Sequence, residues 1–267
     1  MIVDFHSHTL KSDGTLEPQA LADFMAERKV EIFSISDHDS LAAYAAFEPA
    51  LGARVVTGIE INTTWQDNEV HILGYGLPLA DEAFNALVER NRNSRRIRIG
   101  RVVEKLRGAG YGIAMADVER EAGADAALGR PHVAKALIRM GAFNDIDVVF
   151  RTLLTRGKPG YVPSTHIQPY EAIDAVHAAG GVAVLAHPGR LRTPALIDEL
   201  AQRLDGLEVF YPKHDAEEVA HFRHVARRYG LAMTAGSDFH DIRYHTRGVG
   251  MEVQTQDVKA FLDLVDG

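Results

Sequence analysis

Residues 1–13 read Met-Ile-Val-Asp-Phe-His-Ser-His-Thr-Leu-Lys-Ser-Asp. This stretch predicts a short buried strand that ends in two histidines one residue apart. Side chains at positions i and i+2 of an extended chain point to the same side, so His6 and His8 can present two imidazoles to one cation. Asp13 follows on the next loop. The pattern predicts a metal site at a strand end, which is typical of an enzyme.

The composition limits the classes of protein to which the chain can belong. Its 267 residues, 46% of them hydrophobic, suit one globular domain or one domain with an insertion. A net charge of −8 argues against a protein that coats nucleic acids. Because cysteine is absent, disulfides and thiolate metal sites are excluded, and a metal ion must bind to His, Asp, Glu or water.

The N-terminal sequence lacks the pattern of a signal peptide, and no segment is apolar over the length of a membrane span. We therefore expect a cytoplasmic protein with no membrane partner and no obligate protein partner.

Short apolar runs rich in β-branched residues alternate with helical patterns along the chain. This alternation is typical of a parallel sheet covered by helices, and therefore of the α/β class. Seven runs predict seven strands and a closed or nearly closed β/α barrel. The predicted strands are Ile2–Phe5, Ile32–Ser36, Val55–Ile59, Val70–Tyr75, Val182–Ala186, Gly206–Phe210 and Ala232–Ala235.

The middle of the chain breaks this alternation, with helical patterns and no convincing strand between residues 81 and 166. We predict a barrel built from residues 1–80 and 167–267, and a helical insertion, residues 81–166, that covers the active site. Eight basic residues between Arg90 and Arg107 are expected to form mostly a solvated helix face.

Residues of the types that bind metals follow nearly every predicted strand. The carboxyl ends of the strands build the active site of a β/α barrel, so these residues are expected to meet there. Their recurrence is a stronger signal than one His-x-His pair. In chain order they are His6, His8, Asp13, His38, Glu60, His71, His187, Glu208, Asp238 and His240.

Four motifs around these residues occur in the same order as in a known family. They are Asp-Phe-His-Ser-His-Thr at 4–9 with Ser-Asp-Gly at 12–14, Ser-Asp-His-Asp at 36–39, His-Pro at 187–188 and Ser-Asp-Phe-His at 237–240. With these motifs the chain resembles the PHP (polymerase and histidinol phosphatase) family over residues 1–77 and about 167–267. The resemblance implies a distorted seven-stranded β/α (TIM-like) barrel and a metal-dependent phosphoesterase with two or three divalent metal ions.

The resemblance also implies a role for each residue. The first metal set is His6, His8, Glu60 and Asp238. Glu60 would bridge to a second ion, which His71 and His187 also bind. The third set is Asp13, His38 and His240. The implied catalytic residues are Glu60, His187 and Asp238. Oxygen and imidazole ligands without a thiolate favour Mn²⁺, with Zn²⁺ and Fe²⁺ as alternatives.

Two segments of the helical insertion resemble the insertion of one branch of this family, which acts on 3′,5′-nucleotide bisphosphates and on the 5′ ends of short RNA. They are Gly129-Arg130-Pro131-His132 and Gly157-Lys158-Pro159-Gly160-Tyr161. The resemblance implies that Arg130, His132 and Lys158 bind substrate phosphate. We expect Arg190 to bind phosphate from the barrel side, and Glu208 to contact a substrate hydroxyl or to orient a metal ligand.

The predicted reaction is hydrolysis of a nucleoside 3′,5′-bisphosphate to a 5′-mononucleotide and phosphate by a hydroxide that bridges two metal ions. The same chemistry would trim short 5′-phosphorylated RNA from 5′ to 3′. Three further functions stay open: another phosphomonoesterase such as histidinol-phosphate phosphatase, an amidohydrolase-type C–N hydrolase, and a non-catalytic PHP module. The insertion argues against the first, the third metal set against the second, and the complete ligand set against the third.

Overall fold

The protein has an α/β fold in which helices pack against two mixed β-sheets. The computed structural model describes residues 1–49, 52–66, 68–123, 126–164, 167–243 and 248–267. The strands in these ranges are β1 (Ile2–Asp4), β2 (Ile32–Phe33), β3 (Arg54–Val55), β4 (Gly58–Trp65), β5 (Asn68–Tyr75), β6 (Val182–Leu185), β7 (Gly206–Phe210), β8 (Ala232–Ala235) and β9 (Met251–Glu252). The helices are α1 (Pro18–Glu27), α2 (Glu82–Gly108), α3 (Met115–Arg120), α4 (Arg130–Arg139), α5 (Ile146–Val149), α6 (Pro169–Ala178), α7 (Leu196–Leu200), α8 (Ala216–Tyr229) and α9 (Thr255–Asp266).

The strands form one sheet in the order β3-β2-β1-β9 and a second in the order β4-β5-β6-β7-β8. β1, β2 and β3 are parallel, as are β6, β7 and β8. However, β9 is antiparallel to β1, and β5 is antiparallel to both β4 and β6. The prediction of a parallel sheet is wrong for these pairs. Only two residues separate β4 from β5, Trp65 pairs with Asn68, and only antiparallel strands can be connected so closely.

The predicted strand Val55–Ile59 is divided between β3 and β4. At the break, the Tyr44 hydroxyl accepts a hydrogen bond from the Gly58 N–H at 2.7 Å. A Cβ at Gly58 would lie 2.1 Å from Ser34 Oγ, so this close approach requires glycine. β4 then continues through polar residues to Trp65, a length that apolar patterning alone does not predict.

Two isolated parallel bridges connect the sheets. Ser7, after β1, pairs with Phe239, after β8, and His38, after β2, pairs with Glu60 of β4. We call these junctions the Ser7–Phe239 seam and the His38–Glu60 seam. A backbone hydrogen bond from the His8 N–H to the Phe239 carbonyl at 2.9 Å extends the first. Both seams therefore lie among the predicted metal ligands.

Apolar packing fixes the strands behind these seams. Ile173 of α6 and Phe222 of α8 pack in the core of the five-stranded sheet. The Phe261 ring of α9 lies 4.7 Å from the Phe5 ring and 4.9 Å from the Tyr75 ring. Among the described residues, no helix combines the length and apolar character needed to cross a membrane.

The segment predicted as a helical insertion contains helices α2 to α5, and the part of it that the structure describes has no strand. α2 begins where the Asp81 carboxylate accepts a hydrogen bond from the Phe84 N–H at 2.7 Å. Apolar side chains of its helices, including Val103 and Leu137, form a separate core. The predicted boundary at 166/167 adjoins residues 165 and 166, which lie outside the described residues.

Buried polar contacts hold the inner face of α2. Arg95 is 6% exposed and its guanidinium lies 3.2 Å from the Asp39 carboxylate, to which Asn91 also donates at 2.7 Å. Arg98, 8% exposed, binds the Glu69 carboxylate of β5 at 2.8 Å. The expectation of a solvated basic face therefore fails at Arg95 and Arg98, because both are paired with carboxylates outside the insertion.

Replacing Arg95 by methionine should destabilise the protein by about 3–5 kcal/mol, because the buried Asp39 carboxylate loses its cation. Urea unfolding followed by circular dichroism measures the change. Arg96→Met is the matched control, since the Arg96–Glu119 pair is exposed and its loss should cost at most about 1 kcal/mol. Equal losses in both variants would show that the Arg95–Asp39 pair does not anchor α2.

Candidate metal centre and substrate cavity

The Ser7–Phe239 seam brings two pairs of predicted ligands together. His6 and His8 flank Ser7 after β1, and strand alternation directs both imidazoles to the same side. Asp238 and His240 flank Phe239, which pairs with Ser7. His6 Nε2 and His8 Nε2 lie 3.4 and 3.3 Å from the Asp238 carboxylate. The His8 and His240 rings stack with their centroids 4.0 Å apart.

The Glu60 carboxylate occupies the middle of the cluster. It is fully buried on β4 at the His38–Glu60 seam. Imidazole nitrogens surround its two oxygens. They are His71 Nδ1 (2.6 Å), His38 Nδ1 (2.9 Å), His187 Nε2 (3.1 Å) and the Nε2 atoms of His6 and His8 (3.2 Å each). One carboxylate thus contacts residues from both sheets.

Asp13 lies among three further histidine contacts. One of its carboxylate oxygens lies 3.3 Å from His240 Nε2 and 4.0 Å from His8 Nδ1, and the other lies 3.8 Å from His38 Nε2. Within each potential ligand group the ligand atoms lie within 4.8 Å of one another. The groups in the described ranges are His6-His8-Glu60-Asp238, His8-Asp13-His38-His240 and His38-Glu60-His71. His187 contacts Glu60 but lies outside these three groups.

Two predicted ligands have unusual backbone conformations. His187 has φ of 27° and Asp238 has φ of 52°, in the left-handed region that residues with a Cβ rarely adopt. Such conformations cost about 1–3 kcal/mol each and persist where surrounding contacts hold them. The Glu208 carboxylate accepts from the His187 N–H at 2.7 Å, and the His6 carbonyl accepts from the Asp238 N–H at 2.8 Å. These bonds hold both side chains in the cluster.

Glu208 contacts the predicted metal ligand His6 and does not line the cavity. It is fully buried on β7, and its second carboxylate oxygen lies 2.9 Å from His6 Nδ1. This contact leaves His6 Nε2 directed at Glu60. Because both Glu208 oxygens are engaged and none is exposed, the predicted substrate contact is not available, whereas the expected orienting role fits the geometry.

Neighbouring imidazoles favour the ionised form of the Glu60, Asp13 and Asp238 carboxylates. Burial alone raises the pKa of Glu60, but His38, His71 and His6 outweigh this effect and hold the pKa well below its usual range. Burial opposes ionisation of Asp13 and Asp238 as well, and neighbouring imidazoles again bring both pKa values well below the ordinary value. Three buried negative charges therefore require positive charge close to them.

Burial and nearby carboxylates shift the pKa values of the cluster's histidines in opposite directions. Burial lowers the pKa of His38 to about 3 and also lowers the pKa of His187, so both rings are neutral at pH 7. Burial lowers the pKa of His8 too, but contacts with Asp238 and Glu60 outweigh it and raise the pKa to about 10. Neutral imidazole is the form that binds metal ions.

Four buried atoms of the cluster have no hydrogen-bond partner among the described residues: His6 Nε2, His8 Nε2, Asp13 Oδ1 and Glu60 Oε2. Buried polar atoms are nearly always paired, so their concentration at one place requires an explanation. Divalent cations bound by imidazole nitrogen and carboxylate oxygen would satisfy these atoms and neutralise the carboxylates. The residues present therefore fit divalent metal ions.

The cluster opens into a cavity of about 530 Å³, which is lined by residues that lie in or follow the strands and by residues of helices α2, α4 and α5. Small-molecule sites typically measure about 300–1,000 Å³. Besides the predicted ligands, cationic side chains from both parts of the chain line the cavity. They are Arg95, Arg98, Arg130, Lys135, Arg190 and Lys213.

Arg130 reaches the cavity from the first turn of α4. Its guanidinium binds one oxygen of Glu69 at 2.6 Å, and Arg98 binds the other at 2.8 Å. Burial raises the pKa of Glu69, but the two arginines outweigh it and lower the pKa to about 2. Sequence reasoning missed Glu69, although it stands two residues before His71 and strand alternation places both on one side. Glu69 holds two cations of the insertion beside the cluster.

Arg190, which follows β6, also lines the cavity. Its guanidinium lies 3.3 Å from the Asp238 carboxylate, to which the Tyr211 hydroxyl also donates at 3.0 Å. The Arg190 side chain is half-exposed, so it can contact a ligand in the cavity. Tyr211 was missed because it follows an apolar strand without a recognisable motif.

His132 and Lys158 lie elsewhere than expected. His132 is 1% exposed, with Nδ1 accepting from the Gly129 N–H at 3.0 Å and Nε2 donating to the Ser12 carbonyl at 3.0 Å. Both ring nitrogens are engaged, so His132 ties α4 to the loop that precedes Asp13. Lys158 is exposed in a turn and does not line the cavity. Neither side chain is placed to bind substrate in this structure.

No family model matches the chain. It is 34% identical over 251 residues to the 5′-3′ exoribonuclease Rnm of Escherichia coli K12, an alignment that covers 90% of this chain and 85% of that protein. It is also 34% identical over 257 residues to a 3′,5′-nucleoside bisphosphate phosphatase of Chromobacterium violaceum, an alignment that covers 93% of this chain and 90% of that protein. A solved structure of an amidohydrolase from Chromobacterium violaceum, with bound sulfate and no metal, aligns with a TM-score of 0.87 and 30% identity over 98% of this chain and 95% of that one.

The fold, the buried cluster and these similarities define a metal-dependent phosphoesterase. The chain belongs to the PHP family, in the branch that contains the exoribonuclease and the nucleoside bisphosphate phosphatase. The family predicted from the four sequence motifs is confirmed.

Divalent cations should stabilise the folded protein, because the cluster exists only in the native state. A cation at 100 times its dissociation constant stabilises a one-site protein by about 2.7 kcal/mol. We expect MnCl₂ to raise the thermal unfolding temperature and EDTA to reverse the effect, as measured by differential scanning fluorimetry.

Glu208→Ala should lower manganese affinity about 10–100-fold, because the His6 ring loses its orienting contact.

Glu218→Ala serves as the control, since Glu218 accepts an exposed hydrogen bond from the Asp215 N–H at the start of α8. Wild-type manganese affinity in Glu208→Ala would contradict the orienting role.

Proposed function

We propose that the protein hydrolyses nucleoside 3′,5′-bisphosphates to 5′-mononucleotides and phosphate. The observation that carries this proposal is a single cavity lined by a buried His/Asp/Glu cluster and by several arginine and lysine side chains. The cluster suits cleavage of a phosphate ester, and the additional cations suit a substrate with a second phosphate. The Chromobacterium violaceum relative is named for this activity.

We assign two or three divalent metal ions to the cluster, with Mn²⁺ preferred and Zn²⁺ or Fe²⁺ as alternatives. The first set is His6, His8, Glu60 and Asp238, the second is Glu60, His71 and His187, and the third is Asp13, His38 and His240. Glu60, His187 and Asp238 are the proposed catalytic residues. When bound, such ions lower the pKa of water and polarise the phosphoryl group.

The chain's own cations would bind the substrate. Arg190, beside Asp238, is close enough to the cluster to bind the phosphate that is cleaved. Arg130 uses one guanidinium nitrogen on Glu69 and keeps other N–H groups for the second phosphate. Arg190 would offset the negative charge of the transferring group, in a site that is already partly shielded from water.

We also propose that the two sheets form the distorted seven-stranded β/α barrel of the family. The two seams would close a ring of β1, β2, β4, β5, β6, β7 and β8, with β3 and β9 as additional edge strands. Residues 1–80 and 167–267 would form this barrel, and residues 81–166 the insertion over the active site.

A second candidate function is stepwise 5′-to-3′ hydrolysis of short 5′-phosphorylated RNA. The Escherichia coli relative is named as a 5′-3′ exoribonuclease. Both reactions release a nucleotide 3′ oxygen from phosphorus, so one cluster could perform either.

C–N hydrolysis, histidinol-phosphate hydrolysis and a non-catalytic role each account for fewer features of the cavity. The solved Chromobacterium violaceum neighbour is called an amidohydrolase. A C–N hydrolase, however, would leave the group around Asp13 and the cationic lining without a role. A histidinol-phosphate phosphatase would not use the insertion cations, and a non-catalytic module would not require every ligand.

Manganese-loaded protein should release phosphate from adenosine 3′,5′-bisphosphate with a kcat/KM about 10–100-fold above that for 5′-AMP or histidinol phosphate. Each charge-assisted hydrogen bond to the second phosphate contributes about 1.5–3 kcal/mol. A phosphate-release assay measures all three, and a 5′-phosphorylated tetranucleotide followed by chromatography tests the RNA reaction. Equal rates on 5′-AMP and the bisphosphate would contradict the proposal.

Arg130→Met should raise KM for the bisphosphate about 10–100-fold with a smaller effect on kcat, because it removes a charged contact to the phosphate that is not cleaved. Lys158→Met is the control and should leave KM unchanged, since Lys158 does not line the cavity. Steady-state kinetics distinguish the two, and a larger effect from Lys158 would contradict this geometry.

A further inference from the structure

We propose that an apolar wall of the cavity, formed by Pro131, Ile146 and Phe150, is a nucleobase subsite in which the base stacks on the Phe150 ring. All three side chains line the same cavity as the His/Asp/Glu cluster. The inference rests on the proposed function and identifies the part of the chain that would recognise the uncharged end of the substrate.

Phe150 packs against the insertion core and also lines the cavity. Ile146 begins α5 and Phe150 begins the π-helical turn Phe150–Leu154, four residues later, so both lie on one helix face. Both pack against the insertion core while also lining the cavity. Their neighbour Val149 is fully buried, whereas Phe150 is only partly buried. A supported, accessible ring is a suitable platform for a flat apolar group. π-helical turns are also frequent at functional sites.

Arg130 connects this wall to the phosphate-binding part of the cavity. Its guanidinium carbon lies 5.9 Å from the centroid of the Phe150 ring, and its NH2 group lies 2.6 Å from Glu69. Glu69 stands two residues from His71 of the cluster on β5. A short series of contacts thus joins the cluster, a cation and an aromatic ring. A nucleoside bisphosphate has matching parts, with phosphates on a sugar and a flat base attached to it.

The charge of the wall favours a base over a phosphate. Asp147 follows Ile146, is exposed, and lines the same cavity. Its carboxylate would repel a phosphate at this position, whereas N–H groups on the edge of a base can donate to it. The apolar surface and the adjacent acceptor therefore suit the base and direct the phosphates toward the cations.

The test uses two substrates that differ only in the base: adenosine 3′,5′-bisphosphate and 1-deoxyribose 3,5-bisphosphate. Phe150→Leu should lower kcat/KM about 10-fold for the adenosine compound and leave the baseless compound unchanged, because only the former loses stacking. Phe150→Tyr keeps the ring and should keep the wild-type preference. Phe143→Leu is the matched control, since Phe143 packs on the same core and stacks on Tyr111 with centroids 6.0 Å apart, outside the cavity lining.

Each contrary outcome has a distinct meaning. Equal losses on both substrates in Phe150→Leu, failure of Phe150→Tyr to retain the preference, or an equal base-dependent loss in Phe143→Leu would overturn the stacking role of Phe150. Wild-type protein that hydrolyses both compounds equally well would overturn the base subsite alone. Wild-type protein that hydrolyses neither would overturn the proposed function itself.

Discussion

The buried carboxylate of Glu60, with five imidazole nitrogens around it, is the contact on which the rest of the structure depends. A carboxylate removed from water loses several kcal/mol of solvation, which only close positive charge and hydrogen-bond donors restore. The surrounding imidazoles come from both sheets, so they enclose the carboxylate only when the Ser7–Phe239 and His38–Glu60 seams are formed. The left-handed conformations of His187 and Asp238 are a local cost of the same requirement, since an ordinary backbone would direct these side chains elsewhere.

Carboxylates also position the insertion. Asp39 holds Arg95 and Asn91 of α2, and Glu69 holds Arg98 and Arg130. Both acids belong to segments that continue into the cluster, because Asp39 follows His38 and Glu69 precedes His71 by two residues. The distance between the insertion cations and the cluster is therefore set by short polar contacts and not by apolar packing alone. A shift of α2 would leave buried charges unpaired, which is far more costly than the loss of an exposed ion pair.

The sequence allowed prediction of the features that depend on local geometry. His6 and His8 are two residues apart at a strand end, and their convergence with the His38, His187 and His240 motifs follows from strand alternation and from the family pattern. Features that depend on distant partners were not predictable. The division of β3 from β4 is set by Tyr44 and Gly58, and the antiparallel direction of β5 follows from the two-residue connection after Trp65. The sequence around Arg98 did not indicate that its guanidinium would pair with Glu69. The sequence around His132 likewise did not indicate that Nε2 of its ring would donate a hydrogen bond to the Ser12 carbonyl.

The residues of the His/Asp/Glu cluster are mostly buried, whereas the residues proposed to recognise the substrate are partly exposed. Changes at Glu60, Asp238 or Glu208 would leave buried charges or donors unpaired, so these positions have few tolerated replacements. Arg130, Phe150 and Arg190 are partly exposed, so their replacement would remove the proposed ligand contacts at little cost to the fold. The cavity lining contributed by the insertion can therefore vary while the cluster stays intact. Relatives of equal identity to this chain that are named for RNA and for nucleoside bisphosphates are consistent with that division, since both reactions use the same bond cleavage and differ in what the lining must recognise.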